Sequence, residues 1–278
     1  MGFFIGRPNL YNIQIMNYEG KKKGFKFRKE STRYDKDDLV FGTRAVIETI
    51  KSGKQIDKVF IQKGLKNDLT DELNELIRHH GLGVSRVPIE KLNKITRKNH
   101  QGVLAFISPI TYVPLHNIIA NSYEDGRAPL ILILDRITDV RNFGAICRSA
   151  ECTGVNAIVI PSKGGAMINS DAVKTSAGAL NYLSVCKEED LGATIEYLKQ
   201  SGFQIVSCTE KASDLIYQIE YDIPTAIILG SEEDGISESL LKESDKKVKI
   251  PILGSIDSLN VSVSAGIILY ECLRQRRQ

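Results

Sequence analysis

The second half of the chain alternates short apolar runs with amphipathic segments, and that alternation leaves few folds open. LILILD (130–135), NAIVIP (156–161), FQIVSCT (203–209), TAIILG (225–230) and VKIPI (248–252) read as strands. Helices are predicted over 143–152, 170–178, 192–202 and 236–244, and a last one closes the chain over 263–277. A run such as LILILD has no polar face, so both of its faces must be covered. Buried strands that alternate with helices imply a mostly parallel sheet with helices on both sides, an α/β fold. No repeat of fixed period is visible.

Ahead of this region, residues 38–108 read as a small α/β module. LVFGTRAVIETIKSG carries a helical stripe of Val46, Ile47 and Ile50, closed by Gly53. IDKVFIQ (56–62), VSRVP and VLAFIS (103–108) read as strands, with a helix predicted around IEKLNKIT. DLTDELNELIRHHG (68–81) is an amphipathic helix with Leu69, Leu73, Leu76 and Ile77 inward and Gly81 as its stop. Residues 109–128 read as a linker with one helical turn, and 129–278 as the second domain.

Residues 1–37 are expected to form a basic, flexible arm. EGKKKGFKFRKESTRYDK (19–36) is dense in Lys and Arg and lacks an apolar period. Two readings fit it: contact with a phosphate backbone, or a solvated tail. Met1 to Ile15 is too short an apolar stretch for a bilayer and a poor signal peptide, and Met16 is an alternative start.

Several classes lose their support. The net charge of +3 is too small to define a partner. Cys147, Cys152, Cys186, Cys208 and Cys272 are odd in number and contain no C-x-x-C, so they read as reduced thiols of a cytoplasmic protein. The four histidines show no ligand pattern, and no metal is assigned. There is no G-x-G-x-x-G after the first strand of the second half, no P-loop and no G-x-S-x-G elbow.

Three clusters remain, each beside a predicted strand end or helix start, where ligands of open parallel sheets bind. In LDRITDVRNFGAICRSAECTGV (134–155), Asn142 fits an N-cap, Gly144 permits a close approach to the backbone, and Arg148 follows. In ILGSEEDGIS (228–237), a buried strand runs into a tight acidic turn. In IPILGSIDSLNVSVSAG (250–266), small polar residues alternate with apolar ones. Periodicity allows a half-buried strand there, or a helix entry whose Ser and Asn side chains meet a ligand. Taken singly, each cluster also has a bland explanation: a cap, a solvated charge, an ordinary turn.

Taken together, NFGAICRSA, GSEEDG and IPILGSIDSLNVSV resemble in order and spacing the three signature motifs of the SpoU/TrmH family of SPOUT RNA ribose 2′-O-methyltransferases. FGTRAVIETI and NHQGVLAFI look like the small RNA-binding domain of its RlmB-type members, which act on guanosine in large-subunit ribosomal RNA. The resemblance covers about residues 38 to 276. It implies a trefoil knot in the C-terminal domain, S-adenosyl-L-methionine as cofactor, and a homodimer with active sites at the interface. It also implies cofactor contacts around Leu229, Gly230, Ile250, Ile252 and Leu259, and it matches Asn142, Arg148, Glu232, Ser258 and Asn260 to the family's polar set. RNA contact is expected from the small domain, the arm, Arg44, Arg97, Lys98 and Arg141. A tRNA ribose methyltransferase and a non-catalytic RNA-binding or ribosome-assembly protein are the alternatives.

Two departures stand out. Val140 replaces a common Pro, and Glu233 stands where the family's second loop often has Gly. A positive φ at Glu233 would strain that loop by about 1 kcal/mol. With the resemblance in hand, 255–266 reads as a loop entering a helix, with Leu259 and Val261 packed inward and Ser258 and Asn260 facing a ligand.

Overall fold

A computed structural model describes residues 39–124 and 126–277. The predicted basic arm and Met16 lie outside the described residues.

The first module contains β1 (Leu39–Phe41), α1 (Thr43–Lys51), β2 (Ile56–Gln62), α2 (Asp68–His79), β3 (Val84–Val87), α3 (Ile89–Ile95) and β4 (Val103–Ile107). Its sheet runs β1-β4-β2-β3, with β4 antiparallel to β1 and β2, and β3 parallel to β2. Val46, Ile47 and Ile50 of α1 pack with Leu73 and Ile77 of α2. Leu69, expected inward, is exposed, while Thr70 is buried. The helix start explains this. The Asn67 carboxamide oxygen accepts from the Thr70 backbone N–H at 2.9 Å and from its hydroxyl at 2.8 Å, drawing Thr70 inward.

The stretch 109–128 holds more than one turn. Helix α4 (Leu115–Glu124) spans ten residues and buries Leu115 and Ile119. Its apolar signal is confined to Leu115, Ile118 and Ile119, which hides it among polar neighbours.

The second sheet is built from β5 (Leu130–Leu134), α5 (Val140–Cys152), β6 (Ala157–Pro161), α6 (Ser170–Thr175), β7 (Ser184–Glu188), α7 (Leu191–Gln200), β8 (Gln204–Cys208), β9 (Asp214–Leu215), β10 (Thr225–Leu229), α8 (Glu238–Glu243), β11 (Lys246–Lys249) and α9 (Val261–Arg276). Its order is β7-β6-β5-β10-β8-β11-β9, and every neighbouring pair is parallel. The LILIL run serves two cores. Leu130, Leu132 and Leu134 pack with Phe143, Ile268 and Leu269 on the α5/α9 side. Ile131 and Ile133 pack with Leu115, Ile195 and Leu240 on the α4/α7/α8 side.

The strand expectations are corrected at β11 and at three strands that were not expected, β1, β7 and β9. VKIPI pairs over 246–249 rather than 248–252, because Pro251 has no N–H for a ladder. Strand β7 was not expected, since only Val185 and Cys186 of SVCKE are buried.

Strand order reverses at β5. The chain moves outward from β5 through β6 to β7, then returns to place β8 and β10 on the other side. Crevices at such reversals, beyond the carboxyl ends of the strands, are where parallel sheets bind ligands.

A buried polar staple joins the two modules. Tyr112 Oη donates to Asp57 Oδ1 at 2.7 Å, and Lys187 Nζ donates to Asp57 Oδ1 at 2.9 Å and to its carbonyl at 2.7 Å. Burial, reinforced by the Asp57 charge, pushes the Tyr112 phenol far above its usual range. Among the described residues, no helix is long and apolar enough to cross a membrane.

Candidate active site

A cavity of about 560 Å³ opens at the carboxyl ends of β8 and β10, walled by residues 230–236, 250–260 and the first turn of α9. Leu229, Gly230, Ile250, Ile252 and Leu259 all line it, as do Glu232, Ser258 and Asn260. Five carboxylates, on Glu210, Glu232, Glu233, Asp234 and Asp257, face it against one ammonium, Lys211. Its size is that of a small-molecule site. A lining that mixes apolar side chains with carboxylates suits an apolar group that carries positive charge.

The N-cap of α5 is Asp139, not Asn142. Asp139 Oδ1 accepts from the backbone N–H of Arg141 at 2.7 Å and of Asn142 at 3.0 Å. That leaves the Asn142 carboxamide free for a long-range contact. Asn142 Nδ2 donates to Glu232 Oε1 at 2.8 Å, and Asn260 Nδ2 donates to the same oxygen at 2.6 Å and to Asn142 Oδ1 at 3.1 Å. One residue from each motif therefore meets at a single point.

Asn260 also starts α9. Its Oδ1 accepts from the Ser262 backbone N–H at 3.0 Å, an N-cap that ends the strand reading of 258–264. Val261 is buried, as expected. Leu259, expected inward, is 40% exposed and faces the cavity. The cap directs it there, because the chain turns at Asn260 before helical packing begins.

Gly144 is required by a neighbouring element. A Cβ there would stand 2.0 Å from Thr175 Oγ1 and 3.0 Å from the Ser176 backbone nitrogen, so α6 packs directly on α5. Arg148 lies further along α5, exposed, outside the cavity lining and with no hydrogen-bond or ion-pair partner among the described residues. The structure thus brings Asn142, Glu232 and Asn260 together with Ser258 nearby in the cavity wall, and leaves Arg148 apart.

The acidic turn is held by residues the motif reading passed over. A Cβ on Gly230 would fall 2.1 Å from the Gly235 carbonyl carbon, so the turn folds back onto its own start. Backbone hydrogen bonds between Ser231 and Gly235 close it at 3.1 and 3.0 Å. The positive φ falls on Gly235 (67°) and not on Glu233, so the strain expected from Glu233 does not arise. Asp135, at the end of β5, is buried, and its Oδ2 accepts from the Ser237 N–H at 2.7 Å. Arg136 has φ 58°, which costs a residue with a Cβ about 1–2 kcal/mol. Its guanidinium donates to Asp234 Oδ2 and to the Gly235 carbonyl, both at 3.1 Å, and to both oxygens of Asp135 at 3.3 and 3.4 Å. The readable signal was the Asp-Arg pair set directly after a wholly apolar strand.

The basic residues divide. Arg44 shares Glu72 with Lys51, at 4.0 and 2.7 Å. Lys98 Nζ sits 5.0 Å from the centre of the Phe41 ring. Arg97 and Arg141 are exposed, and their guanidinium groups have no partner among the described residues. Sequence reasoning missed Lys58 and Lys91, whose ammonium groups flank one ring, Phe60, at 5.5 and 5.8 Å. Burial chiefly, helped by the like charges of Lys91 and Lys187 and opposed by Asp57, lowers the Lys58 pKa from its ordinary value.

Residues 129–270 match the SpoU rRNA Methylase family, and residues 39–113 match the RNA 2′-O ribose methyltransferase substrate-binding family. A Bacillus subtilis (strain 168) protein, YacO, named as a candidate TrmH-family tRNA/rRNA methyltransferase, is 31% identical over 239 residues, covering 86% of this chain and 96% of that one. A similarly named Staphylococcus aureus (strain MSSA476) protein is 33% identical over 240 residues, covering 86% and 97%. Among solved structures, the SpoU methyltransferase AviRb of Streptomyces viridochromogenes, in complex with its cofactor AdoMet, shares the fold with TM-score 0.56 and 23% identity, over 86% of this chain and 90% of that one. An RNA 2′-O ribose methyltransferase aligns with TM-score 0.52 and 26% identity, over 86% and 89%. By family match, by relatives over most of its length and by fold, this chain belongs to the SpoU/TrmH family of RNA methyltransferases.

Proposed function

We propose that this protein transfers a methyl group from S-adenosyl-L-methionine to the ribose 2′-hydroxyl of a nucleotide in structured RNA, a guanosine of large-subunit ribosomal RNA. The observation that carries this reading is the convergence of Asn142 with Glu232 and Asn260, two residues of a cavity lined by apolar side chains and carboxylates. S-adenosylmethionine supplies an electrophilic methyl group and a positive charge that the five carboxylates offset. Leu229, Ile250, Ile252 and Leu259 provide an apolar bed, and Gly230 brings backbone within reach of a ligand. Glu232 orients both carboxamides, and Ser258 lines the same cavity.

Arg148 is assigned to the substrate. A guanidinium stays charged at neutral pH, so it is a poor base and a strong stabiliser of phosphate or of a developing alkoxide. Among the described residues its guanidinium has no partner, which leaves its donors available for RNA. Arg148→Lys keeps the charge and loses the fork, so single-turnover methylation should fall by about tenfold or more. An unchanged rate would remove Arg148 from this role.

The exposed row Val263, Ile267 and Tyr270 on α9 is assigned to a second copy of the chain, giving a homodimer that brings Arg148 of one copy toward a shared site. A monomer in sedimentation at micromolar concentration would refute this. The trefoil knot belongs to the same reading, since it would hold the 230–237 and 250–260 walls against each other. A cytoplasmic location is part of the same proposal.

Tritiated methyl transfer to unmodified ribosomal RNA, with mapping of the labelled nucleotide, tests the whole reading. The relatives' names include tRNA, so unmodified tRNA forms a parallel arm. Label on a base rather than a ribose, or on neither RNA, would sink the proposal. Absence of S-adenosylmethionine binding by calorimetry would favour a non-catalytic RNA-binding protein on this fold.

A further inference from the structure

We infer that Arg136 is a positioning residue for the cofactor cavity, locking the 230–237 turn to the end of β5 and thereby placing both a cavity wall and Glu232. This rests on the reading of the cavity given above. Three observations carry it. First, Arg136 occupies a backbone conformation that favours glycine, with φ 58°. A glycine would sit there without strain, so the side chain must contribute something that keeps the strained state populated. Second, its guanidinium fork spans two elements. Nε and Nη2 reach back to Asp135 at the strand end, while Nη1 and Nη2 reach across to Asp234 and the Gly235 carbonyl. Third, the same carboxylate completes the lock, because Asp135 Oδ2, which accepts from Arg136 Nη2, also accepts from the Ser237 N–H just past the turn. On the other side of the turn the Asp135 backbone N–H donates to the Leu229 carbonyl at 2.8 Å, so the β5 terminus holds the chain both before and after Glu232.

Arg136 does not act on the reacting atoms. Nε and both terminal nitrogens are engaged by the protein, and none of the residues lining the cavity is Arg136 itself. Its effect passes through the turn. Loss of the fork frees Ser231, Glu232 and Glu233 to move together. Glu232 then loses the fixed oxygen on which the Asn142 and Asn260 carboxamides converge.

The test uses the full chain and the variant Arg136→Gly. Relief of the left-handed backbone offsets part of the lost fork, so the melting temperature should fall less than in Arg136→Ala, which loses the fork and keeps the strain. Affinity for S-adenosylmethionine, measured by calorimetry, should fall by at least about tenfold, the size expected for losing a charge-assisted fork. Amide exchange at 231–236 should accelerate without ligand. Arg136→Lys keeps a point charge and should lie between the two. Asp234→Ala leaves the Arg136 backbone untouched and should accelerate exchange in the same turn, which keeps the inference testable if the glycine variant folds poorly.

Wild-type affinity in Arg136→Gly would overturn the inference. So would a loss of affinity accompanied by accelerated exchange throughout the chain and not confined to 231–236, because the role would then be general stability. If the wild type itself fails to bind S-adenosylmethionine, the cofactor reading falls separately. Amide exchange then decides the lock: acceleration at 231–236 in the variants supports it, and unchanged exchange refutes it.

Discussion

Lys187→Met tests whether the staple between the modules is energetically real. The ammonium is 15% exposed and its carboxylate partner, Asp57, only 4%. Removing the cation strands a buried charge, which typically costs about 3–5 kcal/mol. Tyr112 keeps one hydrogen bond to the same carboxylate at 2.7 Å, and Met preserves most of the apolar stem, so the lower end applies, about 3 kcal/mol. For a protein of this size that corresponds to a fall in melting temperature of roughly 6–12 °C. The Asp57→Asn/Lys187→Met pair removes both charges and should recover part of the loss, giving a clear coupling in a double-mutant cycle. Urea titration with fluorescence or circular dichroism provides the energies. A single-variant cost below about 1 kcal/mol, or a double variant equal to the sum of the singles, would refute the reasoning. The functional consequence is separable. A loosened small module should raise KM for RNA while leaving the affinity for S-adenosylmethionine near its original value, since the staple lies away from the cavity lining.

Gly230→Ala forces a Cβ to within 2.1 Å of backbone rather than of a flexible side chain, so the turn must shift. Cofactor binding should be lost and stability should drop by about 1–3 kcal/mol, read by calorimetry and urea titration. Lys58→Gln with Lys91→Gln should reduce the slope of log K for RNA against log salt by up to about two, because each phosphate-contacting cation contributes about one. An unchanged slope would remove this pair from the RNA surface. Alkylation at pH 8 should mark Cys152 first, because it is exposed, whereas Cys147, Cys186 and Cys272 are buried. Burial, then the Glu210 charge, pushes Cys208 up to about 12 despite its place in the cavity lining. Early labelling at Cys208, located by peptide mapping, would contradict that.

Much of the fold was legible because burial on two faces leaves a mark in one dimension. LILIL is wholly apolar and TAIIL is apolar after Thr225, and such strands belong inside a covered parallel sheet. Elements with a weak mark were missed for the same reason. Strand β7 buries little, and α4 hides three apolar residues among polar ones. The residue types at the candidate site were also readable, since Asn, Glu and Asn recur at motif positions beside strand ends.

The sequence could not state which side chain does which task. Asn142 and Asp139 are both good caps three residues apart, and local propensity cannot choose between them. The choice of Asp139 frees Asn142 to reach Glu232, 90 residues onward. The same holds for Arg136, whose strained backbone is repaid by Asp234 and Gly235 from another loop. By itself the sequence determined the class of sheet, the two-sided core and the chemistry available at the strand ends. Only the tertiary structure decided the strand order, the cavity and the meeting of Asn142, Glu232 and Asn260. Periodicity records which face of an element is buried, whereas the partner across that face is set by packing between residues far apart in the chain.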